Sequence, residues 1–282
     1  MEVNVSIVLY NTRRDFAERA IRSVLSSPLV KSLYVIDNSP SPNFPEVREY
    51  DARVEYILTG CNLGYGRAHN LALERSIKEG VTYHLVMNPD VYFDEDVIGA
   101  CVDFMEKNLE VGLLIPKVFY PDGRVQPVAR LLPSPFHLIF RRFLNFGIFK
   151  RFVEKMNKIY EMEFTGYSRT FEAPFISGCF MFLRVAILKY AGVFDKRFFL
   201  YCDDLDLSRR IHRCAKTIFY PGAKIYHHWT RNSYRSFKFL LYHIWDAIKY
   251  FNKWGWFWDK ERKLINRKIL EQFERSQEIM VS

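Results

Sequence analysis

The sequence predicts an α/β protein in which helices flank a mostly parallel central sheet and a helical extension follows at the C-terminus. Strand-like and helix-like segments alternate through residue 107 in the order strand, helix, strand, strand, helix, strand, helix. This alternation is typical of a parallel sheet covered by helices. Polar clusters stand at three strand ends: Asn11, Asp37-Asn38, and Asn88 with Asp90. Because parallel strands end at a common edge, we expect these clusters to meet there.

The individual elements follow from hydrophobic patterns and from the turn residues between them. We predict strands over residues 3–10, 33–36, 54–58, 83–87 and 111–120, a strand pair over 172–184, and a short strand over 224–228. Helices are expected between residues 12 and 27, from the 62–70 segment to about 78, before 107, over 186–190 and from 203 to 214. Thr12 and Asp15 resemble a capping box for the first helix.

The segment Asn88-Pro89-Asp90 follows a mainly apolar strand. Pro89 cannot donate a hydrogen bond to a sheet, so the strand should end there. Two oxygen-bearing side chains one residue apart suit a hard divalent cation that is shared with phosphate. The alternative is an ordinary turn, because Asn, Pro and Asp are common turn formers.

A glycine-rich segment, Asn62-Leu63-Gly64-Tyr65-Gly66, opens the helix after the third strand. It contains half of a GxGxxG fingerprint, but Asn70 stands where a small residue is required, so a dinucleotide-binding fold is disfavoured. Free backbone N–H groups at a helix start favour a phosphate or a ribose. Arg67 and Asn70 add polar groups at the same place. The alternative is a tight turn without a ligand.

Three carboxylates, Asp203, Asp204 and Asp206, lie within four residues beside a row of aromatic side chains. Crowded carboxylates repel one another, and an apolar setting should raise the pKa of one of them toward catalytic use. The alternative is that they only cap the following helix. Further along the chain, His227 and His228 end a short strand. There, a histidine is either a further ligand for the same metal or a structural residue.

The net charge of +9 calls for an anionic partner. From Arg231 to Arg275 the chain holds 11 Lys/Arg against 5 Asp/Glu, together with four tryptophans. This composition is typical of protein segments that lie on a membrane surface. We therefore predict that residues 236–282 form a basic, Trp-rich helical tail that contacts anionic lipid, with a solvated helical face as the alternative. Nucleic acid is not expected, because no recognised binding motif accompanies the charge.

A second basic segment runs from residue 123 to residue 153 without any acidic side chain. Phe136, Phe140, Phe143 and Leu144 fit one helical face, so the segment is either a membrane-lying helix or lid, or an ordinary core-packed helix. The five cysteines form no CxxC pair, and neither a signal peptide nor a membrane span is visible. We expect reduced thiols and a cytoplasmic protein, peripheral on the inner face of the cytoplasmic membrane.

Six segments carry a family resemblance through their order and spacing. They are residues 5–11, residues 35–39, residues 62–70, the Asn-Pro-Asp segment at 88–90, residues 192–207 with their acidic cluster, and His227. Together they resemble family 2 glycosyltransferases of the GT-A fold, within them the bacterial rhamnosyltransferase-like enzymes. Asn88-Pro89-Asp90 is similar to the DXD motif, with Asn88 in place of its first carboxylate. Asp203 stands where glutamate is commoner in the acceptor motif.

The resemblance implies an inverting, metal-dependent glycosyltransferase with a nucleotide-diphosphate sugar and Mg²⁺ or Mn²⁺. It implies that Asp90 and His227 hold the metal and that Asp204 is the general base. The residues implied in acceptor binding are Asp203, Asp206, Gly178 and Phe199. Those implied in nucleotide-sugar binding are Tyr10, Asn11, Asp37, Asn38, Gly64, Arg67, Asn70 and Asn88.

The resemblance also favours a dTDP-rhamnose donor, with a UDP-sugar as the second choice. The implied acceptor is a saccharide or a polyprenyl-linked saccharide in cell-surface polysaccharide synthesis, such as O-antigen. The resemblance further divides residues 1–235 into a nucleotide-sugar-binding half (1–120) and an acceptor-binding half (121–235). The residues themselves leave two other classes open: a metal-dependent phosphohydrolase that uses the same carboxylates, and a non-catalytic membrane-associated scaffold with this fold.

Overall fold

The computed structural model describes residues 1–139, 150–229 and 237–281. The strands are β1 (Val3–Leu9), β2 (Val30–Asp37), β3 (Val54–Leu58), β4 (Tyr83–Met87), β5 (Val91–Tyr92), β6 (Val111–Phe119), β7 (Ala129–Arg130), β8 (Phe171–Glu172), β9 (Phe175–Ile176), β10 (Phe180–Arg184) and β11 (Lys216–His227). Within the described residues, nine of them form one sheet in the order β3-β2-β1-β4-β10-β6-β11-β5, with β8 paired to β11. The pair of β7 and β9 stands apart from this sheet.

The α-helices are α1 (Arg14–Leu25), α2 (Tyr65–Glu79), α3 (Val97–Lys107), α4 (Pro135–Leu138), α5 (Lys150–Tyr160), α6 (Val185–Ala191), α7 (Asp203–His212), α8 (Phe237–Trp254) and α9 (Lys260–Val281). The predicted capping box of the first helix is wrong, because α1 begins at Arg14 without a side-chain cap. The Thr12 hydroxyl instead accepts a hydrogen bond from the N–H of Tyr10, and Asp15 pairs with Arg13.

The sheet is mostly parallel, which confirms the predicted fold class. In the described part of the chain, β1 to β4, β6 and β11 run in one direction, and β5, β8 and β10 run in the other. All seven residues of β1 are buried, as expected of a strand covered on both faces. Leu9 is in register with Asp37, and Ile7 with Met87, so the ends of β1, β2 and β4 lie side by side.

The second half of the fold reaches the same edge from the opposite direction. Because β10 runs antiparallel to β4, the residues that precede β10 lie next to those that follow β4. The N–H of Asn88 donates to the carbonyl of Cys179 at 2.9 Å across this junction. Acidic residues at the start of α7 also contact the start of α2, where Gly66 donates to Asp203 at 3.1 Å. Both halves therefore contribute to one edge of the sheet.

The two C-terminal helices pack on the rest of the chain. Arg209 of α7 donates to both carboxylate oxygens of Asp259 at 2.7 and 2.8 Å, and these side chains are only 1% and 3% exposed. Asn266 of α9 bonds the N–H and the carbonyl of Leu132, both at 2.9 Å. None of the helices among the described residues has both the length and the hydrophobicity that crossing a bilayer requires.

The Phe-rich basic segment lies partly outside the described residues. Phe140, Phe143 and Leu144 belong to residues 140–149, so the predicted apolar face is described only at Phe136. The ring of Phe136 packs edge-on against the ring of Phe152, at 5.9 Å between centroids.

Candidate active site

A cavity of about 490 Å³ lies at the edge where β1, β2 and β4 end. The predicted site residues that line it are Tyr10, Asn38, Gly64, Asn88, Asp90, Gly178, Phe199, Asp203, Asp204 and His227. They come from the loops after these strands, the start of α2, the segment before β10, the start of α7 and the end of β11. The fold therefore brings donor, acceptor and metal candidates together around one space.

Asn38 and Gly64 form one wall of the cavity. The Asn38 amide donates to the carbonyl of Gly64 at 3.0 Å, which holds the loop after β2 against the start of α2. Gly64 has a φ of 91°, and a Cβ there would lie 2.3 Å from the carbonyl oxygen of Phe199. That oxygen accepts a hydrogen bond from the N–H of Tyr65 at 2.8 Å. Only glycine allows this close approach of two backbone segments.

Asp37 lies beneath this wall rather than in the cavity. It is fully buried and accepts hydrogen bonds from the N–H groups of Ser39 and Asn43 and from the hydroxyl of Tyr56. Burial raises the pKa of Asp37, but these hydrogen bonds outweigh it and hold the pKa below its usual range. Asn11, with a φ of 47°, donates its N–H to the Ser39 hydroxyl. In this structure both residues shape the loop after β2.

Asp203 and Asp204 use their carboxylates differently. One oxygen of Asp203 accepts from the N–H of Gly66 at 3.1 Å and the other from the N–H of Asp204 at 3.0 Å, so Asp203 joins α2 to α7. Asp204 accepts from the N–H of Gly178 at 2.8 Å and from that of Leu205 at 2.8 Å. Asp203 is buried, whereas Asp204 is only half-buried beside the cavity. The geometry therefore favours Asp204 as the group that meets a substrate.

Burial raises the pKa of both neighbouring carboxyl groups. At Asp203 the rise is increased by repulsion from Asp204. At Asp204 burial is opposed by the hydrogen bonds from Gly178 and Leu205 and by the charge of Arg130, but the pKa stays raised. A carboxylate with a raised pKa is a stronger proton acceptor than an ordinary aspartate. The sequence predicts a raised pKa for one carboxyl group of the cluster; here burial raises the pKa of both groups, and crowding adds to the rise only at Asp203.

Asp90 and His227 lie side by side in the cavity lining, with 3.4 Å between Asp90 Oδ1 and His227 Nε2. The side chain of Gln126 holds the His227 imidazole on its Nδ1 side, the side away from Asp90. Its amide nitrogen donates to the carbonyl of His227 at 2.7 Å, so its oxygen faces His227 Nδ1 at 2.9 Å. Nδ1 is therefore the donor to Gln126, and Nε2 points toward Asp90. Such partners orient the histidine ligands of metals.

The pair of Asp90 and His227 fits a divalent cation that a phosphate also binds. Among the described residues, no group of three or more His, Cys, Asp or Glu side chains suits a metal ion. Mg²⁺, however, is commonly held by one or two protein groups together with substrate phosphates. Burial lowers the pKa of His227, but Cys179 and Asp90 outweigh it and raise the pKa to about 10. A cation must therefore displace a proton from this imidazole.

Two predicted nucleotide-sugar residues on α2 do not line the cavity. Asn70 is buried, and its side chain bonds both the carbonyl and the N–H of Phe194 at 2.8 and 3.0 Å. Arg67 donates to the carbonyl of Lys196 at 2.7 Å. In this structure both side chains hold residues 194–196 against α2.

Asp206 is also separated from the cavity, although it lies two residues after Asp204. It is fully buried and accepts hydrogen bonds from Arg210 at 2.8 Å and from the indole of Trp254 at 2.8 Å. Lys253 Nζ lies 2.6 Å from the oxygen that also accepts from Trp254. These contacts join α7 to α8, so the structure gives Asp206 no direct access to an acceptor.

Several lining residues were not foreseen from the sequence. The first turns of α8 contribute Lys238, Phe239 and Tyr242 to the cavity, and Tyr65 donates its hydroxyl to the carbonyl of Gly178 at 2.5 Å. Gln126 was also missed. The amphipathic pattern of α8 indicates that one face is buried, but no sequence signal tells which part of the chain it covers.

Most of the chain matches a known family. Residues 5–191 match the model described as Glycosyl transferase family 2. An N-acetylglucosaminyl-diphospho-decaprenol L-rhamnosyltransferase of Mycobacterium tuberculosis is 29% identical over 229 residues, which are 75% of this chain and 71% of that protein. The rhamnosyltransferase WbbL of Escherichia coli K12 is 23% identical over 251 residues, or 86% and 90% of the two chains.

Solved structures share the fold at lower sequence identity. GalNAc-T7 with UDP, GalNAc and Mn²⁺ has a TM-score of 0.61 at 13% identity; the match covers 82% of this chain but only 44% of that one. The mannosyltransferase PcManGT of Pyrobaculum calidifontis, with GDP-Man and Mn²⁺, has a TM-score of 0.56 at 15% identity over 88% and 64%. These neighbours are GT-A glycosyltransferases. With the GT-A fold present and the family model matching 5–191, the chain belongs to glycosyl transferase family 2.

Proposed function

We propose that this protein transfers a sugar from a nucleoside diphosphate to a hydroxyl group of a saccharide, with inversion at the anomeric carbon. The observation that carries the proposal is the shared cavity of Asp204 and the pair of Asp90 and His227. A proton acceptor and a site for a cation with a diphosphate are the two components that this reaction needs.

Asp204 would take the proton from the acceptor hydroxyl as that oxygen attacks the anomeric carbon. The new bond forms as the bond from the anomeric carbon to the diphosphate oxygen breaks, and the electron pair leaves with the diphosphate. One displacement inverts the configuration, so no covalent nucleophile is required. Asp90 and His227 would hold Mg²⁺ or Mn²⁺, which neutralises charge on the leaving diphosphate when bound.

We propose L-rhamnose, carried by dTDP, as the transferred sugar, with a UDP-sugar as the competing donor. Two relatives named rhamnosyltransferases support the sugar. The name of the mycobacterial relative refers to a diphospho-decaprenol acceptor, which supports a lipid-linked saccharide acceptor here. On this account the enzyme acts in cell-surface polysaccharide synthesis.

A thermal-shift panel tests the donor side of this proposal. A ligand that binds only the folded protein must raise its melting temperature. We expect dTDP and dTDP-rhamnose to raise it with Mn²⁺ present, and much less without the metal. A panel of UDP, GDP and dTDP identifies the base. The absence of a shift with every nucleotide diphosphate, with or without metal, would contradict the proposed function.

We propose that α8 contacts an anionic membrane, where a lipid-linked acceptor is found. Phe237, Leu241 and Trp245 follow one another at four-residue intervals along α8 and are 74%, 50% and 62% exposed. Lys238 lies beside this stripe and also lines the cavity. Large apolar side chains with a flanking lysine are typical of interfacial helices. Of the four acidic side chains between residues 237 and 273, Asp246 and Asp259 are buried, which reduces repulsion from lipid.

The double variant Leu241→Ser/Trp245→Ser should bind anionic vesicles much less than the wild-type protein in a sedimentation assay. The wild-type binding itself should weaken as salt is added, because screening reduces the attraction to charged headgroups. Tyr190→Ser is the matched control, since Tyr190 is 82% exposed on α6. Equal sedimentation of all three proteins would contradict the proposal, as would a dimer that forms through α8 in solution.

A further inference from the structure

Three consecutive backbone N–H groups converge on one carboxylate oxygen of α8. The N–H groups of Phe199, Leu200 and Tyr201 donate to Asp246 Oδ2 at 3.1, 3.0 and 3.1 Å. Asp246 is only 1% exposed. A buried carboxylate is costly unless it is fully hydrogen-bonded, and backbone N–H groups aimed at one point supply these bonds.

Lys249, one turn further along α8, completes this arrangement. Its ammonium donates to Asp246 Oδ1 at 2.9 Å and to the carbonyl of Arg197 at 2.7 Å. The two side chains therefore hold residues 197–201 at both ends, one through N–H groups and one through a carbonyl. We call Asp246 and Lys249 the α8 clamp.

The segment that the α8 clamp holds forms one wall of the cavity and leads directly into the acidic pair. Residues 199–201 line the cavity. Cys202 follows with a φ of 62°, and α7 begins with Asp203 and Asp204. A shift of this segment would therefore move Asp204 with it.

Attachment of α8 does not depend on the clamp alone. Ala247, Tyr250 and Phe251 of α8 are buried in one apolar cluster with Phe198 and Leu205. This packing already holds α8 against α7. Packing of apolar side chains gives no hydrogen-bond partners to the N–H groups of residues 199–201. The Asp246 carboxylate supplies these partners and so fixes the backbone of the cavity wall.

We propose that Asp246 is a positioning residue that fixes residues 199–201 and thereby aligns Asp204 with the acceptor hydroxyl. The inference rests on the proposed function and extends it to α8, which lies beyond the residues that match the family model. The donor and metal candidates Asn38, Asp90 and His227 stand on other elements. In the described part of the chain, the clamped segment contacts the donor side only through Phe199, whose carbonyl bonds Tyr65 beside Gly64. Loss of the clamp should therefore impair use of the acceptor much more than donor binding.

The test compares Asp246→Ala and Asp246→Asn in a transfer assay with the full-length protein. Asp246→Ala should lower kcat with a saturating donor about 100-fold, the scale of a 1 Å misplacement, and raise the KM for the acceptor. Asp246→Asn retains an oxygen for the N–H groups and should recover much of the loss. The affinity for Mn²⁺ and nucleotide diphosphate, measured by calorimetry, should change much less than kcat in both variants.

Asn266→Ala is the matched control, because it removes two hydrogen bonds between α9 and Leu132 away from the cavity. It should lower the melting temperature without changing the KM for the acceptor. An Asp246→Ala variant that only loses melting temperature, with wild-type kinetics, would overturn the proposal. If Asp246→Ala does not fold, Lys249→Met is the second test: it should raise the KM for the acceptor, and wild-type kinetics in it would overturn the proposal equally. If the wild-type protein itself transfers nothing, the proposed function fails first.

Discussion

Replacement of Asp204 by Asn should lower kcat at least about 100-fold, the usual scale for loss of a general base. Asn keeps the shape and can still accept one of the two backbone hydrogen bonds from Gly178 and Leu205. The melting temperature should stay nearly unchanged, because the lost bond is offset by removal of a charge that burial disfavours. Affinity for the donor should also stay unchanged. Steady-state kinetics, calorimetry and thermal denaturation measure these three quantities.

The pH dependence gives an independent check on Asp204. Burial raises the pKa of Asp204, so the group becomes a base only above the ordinary pKa of aspartate, which is about 4. The kcat/KM of the wild-type enzyme should therefore increase with pH along an acid limb that lies above this range. The residual activity of Asp204→Asn should lack that limb.

Two neighbouring variants serve as controls for Asp204. Asp206→Asn should mainly lower the melting temperature, because Asp206 is buried against Arg210 and Lys253. Asp203→Asn should have a milder effect on kcat than Asp204→Asn. Near-normal turnover in Asp204→Asn together with an inactive Asp203→Asn would show that the base is assigned to the wrong carboxylate. If all three variants remain active, the acidic cluster only caps α7.

Replacement of Asp90 by Ala should abolish metal-dependent binding of nucleotide diphosphate. Loss of an outer partner such as Gln126 costs about 10- to 100-fold in metal affinity, so loss of a ligand should cost at least as much. The fold should survive, because the carbonyl of Asp90, which accepts from the N–H of His228, is retained in alanine. Calorimetry with dTDP, with and without Mn²⁺, measures the effect.

Asp94→Ala is the control for this variant, since Asp94 is an exposed carboxylate only four residues away. It should bind metal and nucleotide like the wild-type protein. Because the pKa of His227 is raised to about 10, metal binding must release a proton, and the affinity for Mn²⁺ should increase with pH through the neutral range. Unchanged nucleotide affinity in Asp90→Ala, or metal affinity independent of pH, would contradict the assignment.

The edge of the sheet could be predicted from the sequence because its signals are local. β4 ends at Met87, just before Asn88 and Pro89, and polar residues follow β1, β2 and β4, so parallel pairing alone brings them together. The order of the strands within the acceptor half (residues 121–235) was harder to predict from the sequence. There, β7, β8 and β9 are two residues long, and no periodic pattern can be recognised at that length.

The roles of neighbouring carboxylates could not be separated from the sequence. Residues in a helix point about 100° apart per position, and only the surrounding elements decide which direction faces the cavity. Asp204 faces it, whereas Asp206 faces Trp254 of α8. The positions of Gln126 and Asp246 depend in the same way on long-range packing. The sequence predicts a separate tail after residue 235, which includes α8. In the structure, the first turns of α8 line the cavity.

The most direct test of the account is a transfer assay that follows both the sugar and its anomeric configuration. The purified protein is supplied with Mn²⁺, dTDP-rhamnose and a polyprenyl-diphosphate-linked N-acetylglucosamine, and the product is characterised by NMR. We expect an acceptor-dependent glycoside whose anomeric configuration is opposite to that of the donor. Release of free sugar at a rate that no acceptor increases would contradict the account and indicate a phosphohydrolase instead.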